Sequence, residues 1–318
     1  MVNPMLVVTT ALASTCLAPV IDALKTITLT HPSGSTAEVF YFGAHVKSFQ
    51  PAMKPKLDIL FMSKKSNMDG EKPIRGGIPI VWPNFGSAEG LPGHGFARIT
   101  NWTLVSHEDA KEKDGVSTAI FKMEASESTR KMWPNEFKLE YWITLHANQL
   151  DTALHVRNTD KKSIQFHALL HNYLWIDDVR NDGAQVNGLK GVDYFDKVSK
   201  TNMTETREYI TITKDTDSVY KNAPDRIDTV IKGVDAVDRT VTVEKSGSIR
   251  NGNGKGEIET KTDVVVWNPY TRAANITDMG AEEYMNFLAI EPGRVSEHQE
   301  LGVGMTYILK QSISVSSL

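Results

Sequence analysis

The chain is short of cysteine: Cys16 is the single one in 318 residues. That excludes an internal disulfide framework, and a reducing compartment is the simpler expectation. It is also short of positive charge. Thirty-five Lys and Arg against 39 Asp and Glu leave a net charge of −4, so a nucleic-acid partner has little support. Any anion site has to be local, built from a few placed arginines. No clean apolar run of about 20 residues, the length of a membrane span, is present. Met5 to Leu24 comes nearest, but Pro4 precedes it, Pro19 interrupts it, Asp22 sits near its end and no Lys or Arg leads into it. A secretory leader needs that positive lead, so residues 1–24 are expected to be an N-terminal extension or the first element of the fold. The sequons at Asn101, Asn202 and Asn275 matter only in a secreted chain. The terminal Ser-Ser-Leu lacks the basic middle residue of a peroxisomal address. The cytoplasm is the expected location, with a peroxisome-like organelle or secretion as alternatives.

Long amphipathic helices are missing too, and strand patterns stand in their place. Lys138 to His146 alternates, with Leu139, Tyr141, Ile143 and Leu145 on one face and Lys138, Glu140, Thr144 and His146 on the other. A helix cannot satisfy that period. Glu38–Phe42, Thr152–Arg157, Ser163–Leu170, Tyr209–Thr213, Thr240–Val243, Val264–Trp267, Phe287–Ile290 and Met305–Val315 read as strands as well, punctuated by Gly, Asn, Asp and Pro. Met68–Ile74 and Ala281–Met285 are the short helix candidates. Ser246–Gly256, rich in Gly, Ser and Asn, reads as an exposed hairpin loop. Hydrophobic residues make up 40% of the chain, enough for a sizeable core. The expectation is an all-β sandwich, one domain over residues 25–318.

Three segments carry chemistry. Arg75-Gly-Gly-Ile-Pro-Ile-Val-Trp-Pro-Asn-Phe-Gly86, with Leu-Pro-Gly-His-Gly-Phe-Ala-Arg98, is an ordered, irregular loop. Its Arg75, His94 and Arg98 are candidate anion or hydroxyl ligands, since a guanidinium fork matches a phosphate. The alternative is that the arginines pair with carboxylates or loop carbonyls. Ser163–Trp175 places His167 and His171 four apart. On a strand they share a face about 13 Å apart at roughly 3.3 Å per residue, too far to hold one metal. No Cys-x-x-Cys or His-Glu-x-x-His accompanies them, so neither a metal nor a cofactor is expected. Each is either a satisfied core histidine or a catalyst. In Phe287-Leu-Ala-Ile-Glu-Pro-Gly-Arg294 an apolar strand is expected to end in Glu291, with Pro292 stopping it. An ordinary turn-mouth glutamate is the alternative.

Together these segments resemble the glucose-6-phosphate 1-epimerases, the hexose-6-phosphate branch of the aldose 1-epimerases. The matching pieces are Phe42-Gly-Ala-His45, Arg75–Pro83, Pro92–Arg98, Leu169–Leu174, Val192-Asp-Tyr-Phe-Asp-Lys197, Val266-Trp-Asn-Pro269 and Glu291-Pro-Gly293, in the family's order. The resemblance implies an antiparallel β-supersandwich of the galactose-mutarotase type and interconversion of the α and β anomers of a hexose 6-phosphate. It implies His171 as general acid, Glu291 as general base, Arg75 and Arg98 on the phosphate, and His94 and Asp217 on the sugar. No cofactor or metal is implied. The expected partner is a small-molecule substrate, with no nucleic acid or membrane, and a monomer is expected. The competing readings are an aldose 1-epimerase for free hexoses, a non-catalytic carbohydrate-binding sandwich, and a glycosidase, which would use two carboxylates about 5–10 Å apart.

Overall fold

The computed structural model describes residues 24–234, 237–252 and 256–317. The expected N-terminal extension, Leu24 apart, lies outside them. In chain order the strands are β1 (Thr26–Thr30), β2 (Thr36–Phe40), β3 (Val46–Gln50), β4 (Ile80–Val81), β5 (Thr103–Glu108), β6 (Ser117–Glu124), β7 (Phe137–Leu145), β8 (Gln149–Asn158), β9 (Ile164–Leu170) and β10 (Tyr173–Trp175). The second half holds β11 (Ala184–Asn187), β12 (Asp193–Asp196), β13 (Thr201–Thr204), β14 (Thr216–Tyr220), β15 (Arg226–Ile231), β16 (Arg239–Arg250), β17 (Glu257–Thr260), β18 (Asp263–Asn268), β19 (Phe287–Leu301) and β20 (Thr306–Ser317).

They form a three-stranded sheet, β1-β2-β3, and two large ones. The eight-stranded sheet runs β13-β12-β14-β18-β19-β9-β4, with β10 also on β19. The nine-stranded sheet runs β11-β15-β16-β20-β8-β7-β6-β5, with β17 also on β16. The pairing around the centre of each sheet is antiparallel. Period-two patterning makes the core: Leu139, Tyr141, Ile143 and Leu145 of β7 meet Phe166, Ala168, Val264, Val266, Leu288 and Ile290 of the other sheet in one buried cluster. The antiparallel supersandwich expected from the sequence is the fold observed.

Several local expectations are corrected. β19 does not end at Glu291 but continues through Pro292 to Leu301. β10 pairs with β19 as far as Ala289 and β9 only from Gly293, so Ile290, Glu291 and Pro292 have no ladder partner on that side. The carbonyl of Ile290 faces this break. By strand alternation the nitrogen of Pro292 faces it too, so its missing N–H forfeits no ladder bond. Ser246–Arg250 is not loop but the end of β16, paired throughout with β20 and from Gly247 on with β17 as well; residues 253–255 lie outside the described residues. Tyr209–Thr213 makes only an isolated bridge, Ile210 to Val186, its Ile210 and Ile212 being drawn into the core. Met68–Ile74 is bend and irregular chain, not helix. Ala281–Met285 shrinks to a 3-10 turn at Glu283–Asn286. A short helix α1 (Glu127–Met132) is set by Ser126, which caps the N–H of Thr129 while the Thr129 side chain answers the Ser126 N–H.

Candidate active site

The odd-numbered residues of β18, and of β19 as far as Gly293, point away from the main core, and register sorts this outer face into rows. Asp217, Trp267, Ala289 and Tyr173 lie in one row across four strands. Val219, Val265 and Glu291 lie in the next. Apolar clusters around Phe61, Tyr173, Phe287 and Met279 on one side, and Val81, Leu169, Val219 and Val265 on the other, keep water from the floor.

His171 enters this face from the break between β9 and β10. The neighbouring Asn172 turns inward, where its amide donates to the Ile290 carbonyl (2.9 Å) and to Gln311 Oε1 (2.7 Å) and accepts from Gln311 Nε2 (3.0 Å). His171 is thereby turned outward. Its N–H donates to the Pro79 carbonyl, and its ring stacks on Tyr173 (4.5 Å, 9°) with its edge to Trp267 (5.7 Å, 84°). Its Nε2 stands 3.5 Å from Glu291 Oε1. Both residues are buried, His171 at 7% exposure and Glu291 at 1%. Glu291 Oε2 and His171 Nδ1 have no hydrogen-bond partner among the described residues. Buried polar atoms are rarely left so, and an acid/base role is one reason for it.

The Gly-rich loop forms the wall. Gly95 sits at φ +76°, and a Cβ there would come within 2.0 Å of the Trp82 carbonyl oxygen. His94, itself at φ 62°, donates its N–H to the Gly86 carbonyl and accepts at Nδ1 from the Gly86 N–H (3.4 Å). Its Nε2 therefore carries the proton. Its ring packs edge-on to Phe85 (5.3 Å) and His171 (6.2 Å). Arg75 Nε and Nη2 donate to Asp278 Oδ1 (3.2 and 3.1 Å), and its Nη1 donates to the Tyr173 hydroxyl (2.9 Å). Arg98 Nη2 donates to the Gly93 carbonyl (2.7 Å), while its buried Nε has no partner among the described residues. The pairings with a carboxylate and a loop carbonyl that the sequence left open are thus both realised, and donors of both arginines remain. Asp217 pairs with Lys197 (3.1 Å).

Burial, reinforced by Asp217, pushes the Glu291 carboxyl well above the usual carboxylate range, against the pull of Lys197 and Arg98. Burial, then His94, Arg75 and Arg98, holds His171 well below its ordinary value. Burial, then Arg98, Lys197 and Arg75, brings His94 down to about 3, and burial brings Arg98 down to about 10. Across their 3.5 Å separation both groups are thus pushed toward the neutral form, Glu291 toward the acid and His171 toward the free imidazole.

All six residues singled out in the sequence — Arg75, His94, Arg98, His171, Asp217 and Glu291 — meet in this basin. His167 does not; its Nδ1 accepts from the Phe85 N–H and its ring stacks on His298 (4.0 Å), supporting the wall from behind. Sequence reasoning missed Asn172, Tyr173, Lys197 and Trp267, which lie inside the quoted motifs, and Asp278, which nothing in the sequence marked. A groove of about 850 Å³ has Phe85, Lys197, Val219 and Phe195 in its walls; it meets the site through Lys197, and none of the six residues lines it. A second, of about 840 Å³ around Trp142 and His155, lies on the other large sheet and has no buried acid/base pair. Among the described residues no group of three or more His, Cys, Asp or Glu is placed to hold a metal ion.

An antiparallel supersandwich with a carboxyl and an imidazole buried under a cation-rimmed basin defines an acid/base enzyme of the mutarotase type. The chain belongs to the aldose 1-epimerase family, whose model matches residues 25–314. It is 31% identical over 301 residues to an Escherichia coli K12 protein provisionally named a glucose-6-phosphate 1-epimerase, covering 93% of this chain and 92% of the relative. A Cenchrus ciliaris protein of the same provisional name is 28% identical, covering 87% and 80%. Among solved structures, a Salmonella typhimurium protein provisionally called a mutarotase superposes with a TM-score of 0.77 at 27% identity, covering 92% of this chain and 90% of that one.

Proposed function

We propose that this protein interconverts the α and β anomers of a hexose 6-phosphate, glucose 6-phosphate first, through the Glu291–His171 pair. The observation that carries the reading is the 3.5 Å approach of two buried groups whose proton affinities have been moved toward each other. Ring opening takes a proton from the anomeric O1 hydroxyl and gives one to the ring oxygen. Glu291 accepts the first and His171 donates the second; the C1–O5 bond breaks, C1 becomes the aldehyde carbon, rotation about C1–C2 exposes the other face, and closure reverses both transfers. Opening thus carries the pair from carboxylate and imidazolium to neutral acid and neutral imidazole. Burial disfavours both charges and favours the neutral pair at rest, so opening starts from the minor, charged form and returns the pair to its favoured one. No covalent intermediate is needed.

The remaining donors of Arg75 and Arg98 suit the phosphate, and the Nε2–H of His94 and the carboxylate of Asp217 suit sugar hydroxyls. Binding energy at the remote phosphate then orients the ring on the pair. The names of the relatives support the phosphorylated substrate. The test is α/β exchange of glucose 6-phosphate by magnetisation-transfer NMR, beside free glucose and over the spontaneous rate. Faster exchange of the phosphate ester is expected. Equal acceleration of both sugars would remove the phosphate assignment, and acceleration of neither would leave a non-catalytic sugar-binding protein.

A further inference from the structure

Lys197 has no part in the reaction as written, yet the fold aims it at the pair. Its N–H donates to the Asp217 carbonyl (2.8 Å), which extends the β12–β14 ladder by one residue. Lys197 thereby joins the row of Asp217, Trp267, Ala289 and Tyr173. Its ammonium lies 3.1 Å from Asp217 Oδ2 and 4.7 Å from the centre of the Phe85 ring, whose edge holds His94. A salt bridge on an open surface contributes little; this one borders a buried carboxyl.

Glu291 is faced by His171 from the β9–β10 break, Tyr173 from β10, Arg98 from the wall, Asp217 from β14 and Lys197 from beyond β12. The adjacent β18 brings Val265 and Trp267, which carry no charge. Asp217 is the anion among them. A general base beside an uncompensated second carboxylate binds its proton too tightly to release it. We infer that Lys197 is a positioning residue for the acid/base pair: its ammonium fixes the Asp217 carboxylate and offsets that charge beside Glu291. The inference rests on the reading of Glu291 and His171 as the proton-transferring pair. The opposed effects of Asp217 and Lys197 on the Glu291 carboxyl agree with it.

The test is the pH profile of kcat/KM for glucose 6-phosphate in wild type, Lys197→Gln, Lys197→Arg, Asp217→Asn, the Gln/Asn double variant and Glu291→Gln. Removing a positive charge raises the proton affinity of both members of the pair, so both limbs of Lys197→Gln should move to higher pH by about half a unit to one unit. Asp217→Asn should move them lower. The double variant, which loses one charge of each sign, should return toward wild type, and Lys197→Arg should stay there. The phosphate ester ionises near pH ~6 in every assay and cancels from the comparison. Direct titration of the Glu291 carboxyl by ¹³C NMR in wild type and Lys197→Gln reads the same shift without turnover. Unmoved limbs and an unmoved Glu291 titration in Lys197→Gln would overturn the inference and leave the reading of the pair intact. Wild-type exchange in Glu291→Gln would instead overturn that reading, and this inference with it.

Discussion

At the scale of single residues, the same burial that makes Glu291 a strong base makes its replacement costly to the reaction and cheap to the fold. Glu291→Gln keeps the shape and removes the proton acceptor. A positioned acid or base contributes about 10²–10⁴ in rate, so kcat for anomer exchange should fall by that range in Glu291→Gln and in His171→Ala. Substrate binding, followed by calorimetry, should change little; a loss below tenfold in kcat would remove the residue from the chemistry. The two arginines are not equivalent. Arg75 also holds the Tyr173 hydroxyl, and Tyr173 lies flat against His171, so Arg75→Ala should disturb kcat as well as KM. Arg98 gives one hydrogen bond to a loop carbonyl. Its loss should act mainly on KM for glucose 6-phosphate, by about 10–100-fold for a charge-assisted contact, with a much smaller effect on free glucose. Equal effects on the two sugars would place the phosphate elsewhere.

At the scale of elements, the site exists because one strand is broken and its neighbour is not. β9 and β10 would be one strand but for His171 and Asn172, and β19 runs unbroken beneath the gap. Asn172 closes the gap with three hydrogen bonds in a fully buried position. Asn172→Ala would leave the Ile290 carbonyl and the Gln311 amide without those partners, at about 1–3 kcal/mol for each group. The expected result is a fall in melting temperature of several degrees, together with a loss of kcat as His171 loses its aim; an unchanged melting temperature would refute the bracing role. Alternation made β7, β8, β18 and β20 legible in the sequence. The course of β19 was not, because Pro292 reads as a stop and only a gap on the neighbouring side makes it harmless. Nor could spacing show that His171 and Glu291 meet. Their neighbourhood comes from pairing across 120 residues, so the motifs in order carried the site while the geometry stayed hidden.

At the scale of the whole molecule, the fold holds several of its nine histidines uncharged. Burial brings His45 and His94 to about 3 and His155 and His167 to about 4, from an ordinary 6.5, and holds His171 well below that value. For each of them the unfolded chain takes up its proton first as pH falls. The stability they contribute is present in full above pH 6.5 and is lost between there and the lowered values. Glu291, Asp58 and the less enclosed Asp215, raised mainly by burial, act in the opposite sense: their contribution is present at low pH and fades as pH rises. Each group is worth about 1.4 kcal/mol per pH unit at most. His167 is less enclosed than the others and counts for less. The five histidines outnumber the three carboxyls, so unfolding free energy should fall by about 2 kcal/mol or more for each pH unit below about 6. Urea unfolding at pH of about 7.5, 6.5 and 5.5 checks this through the midpoint at constant m-value. A midpoint that stays level across that range would mean that the histidines are charged in the folded protein, and with them His171, whose neutral form the ring-opening step is built to reach.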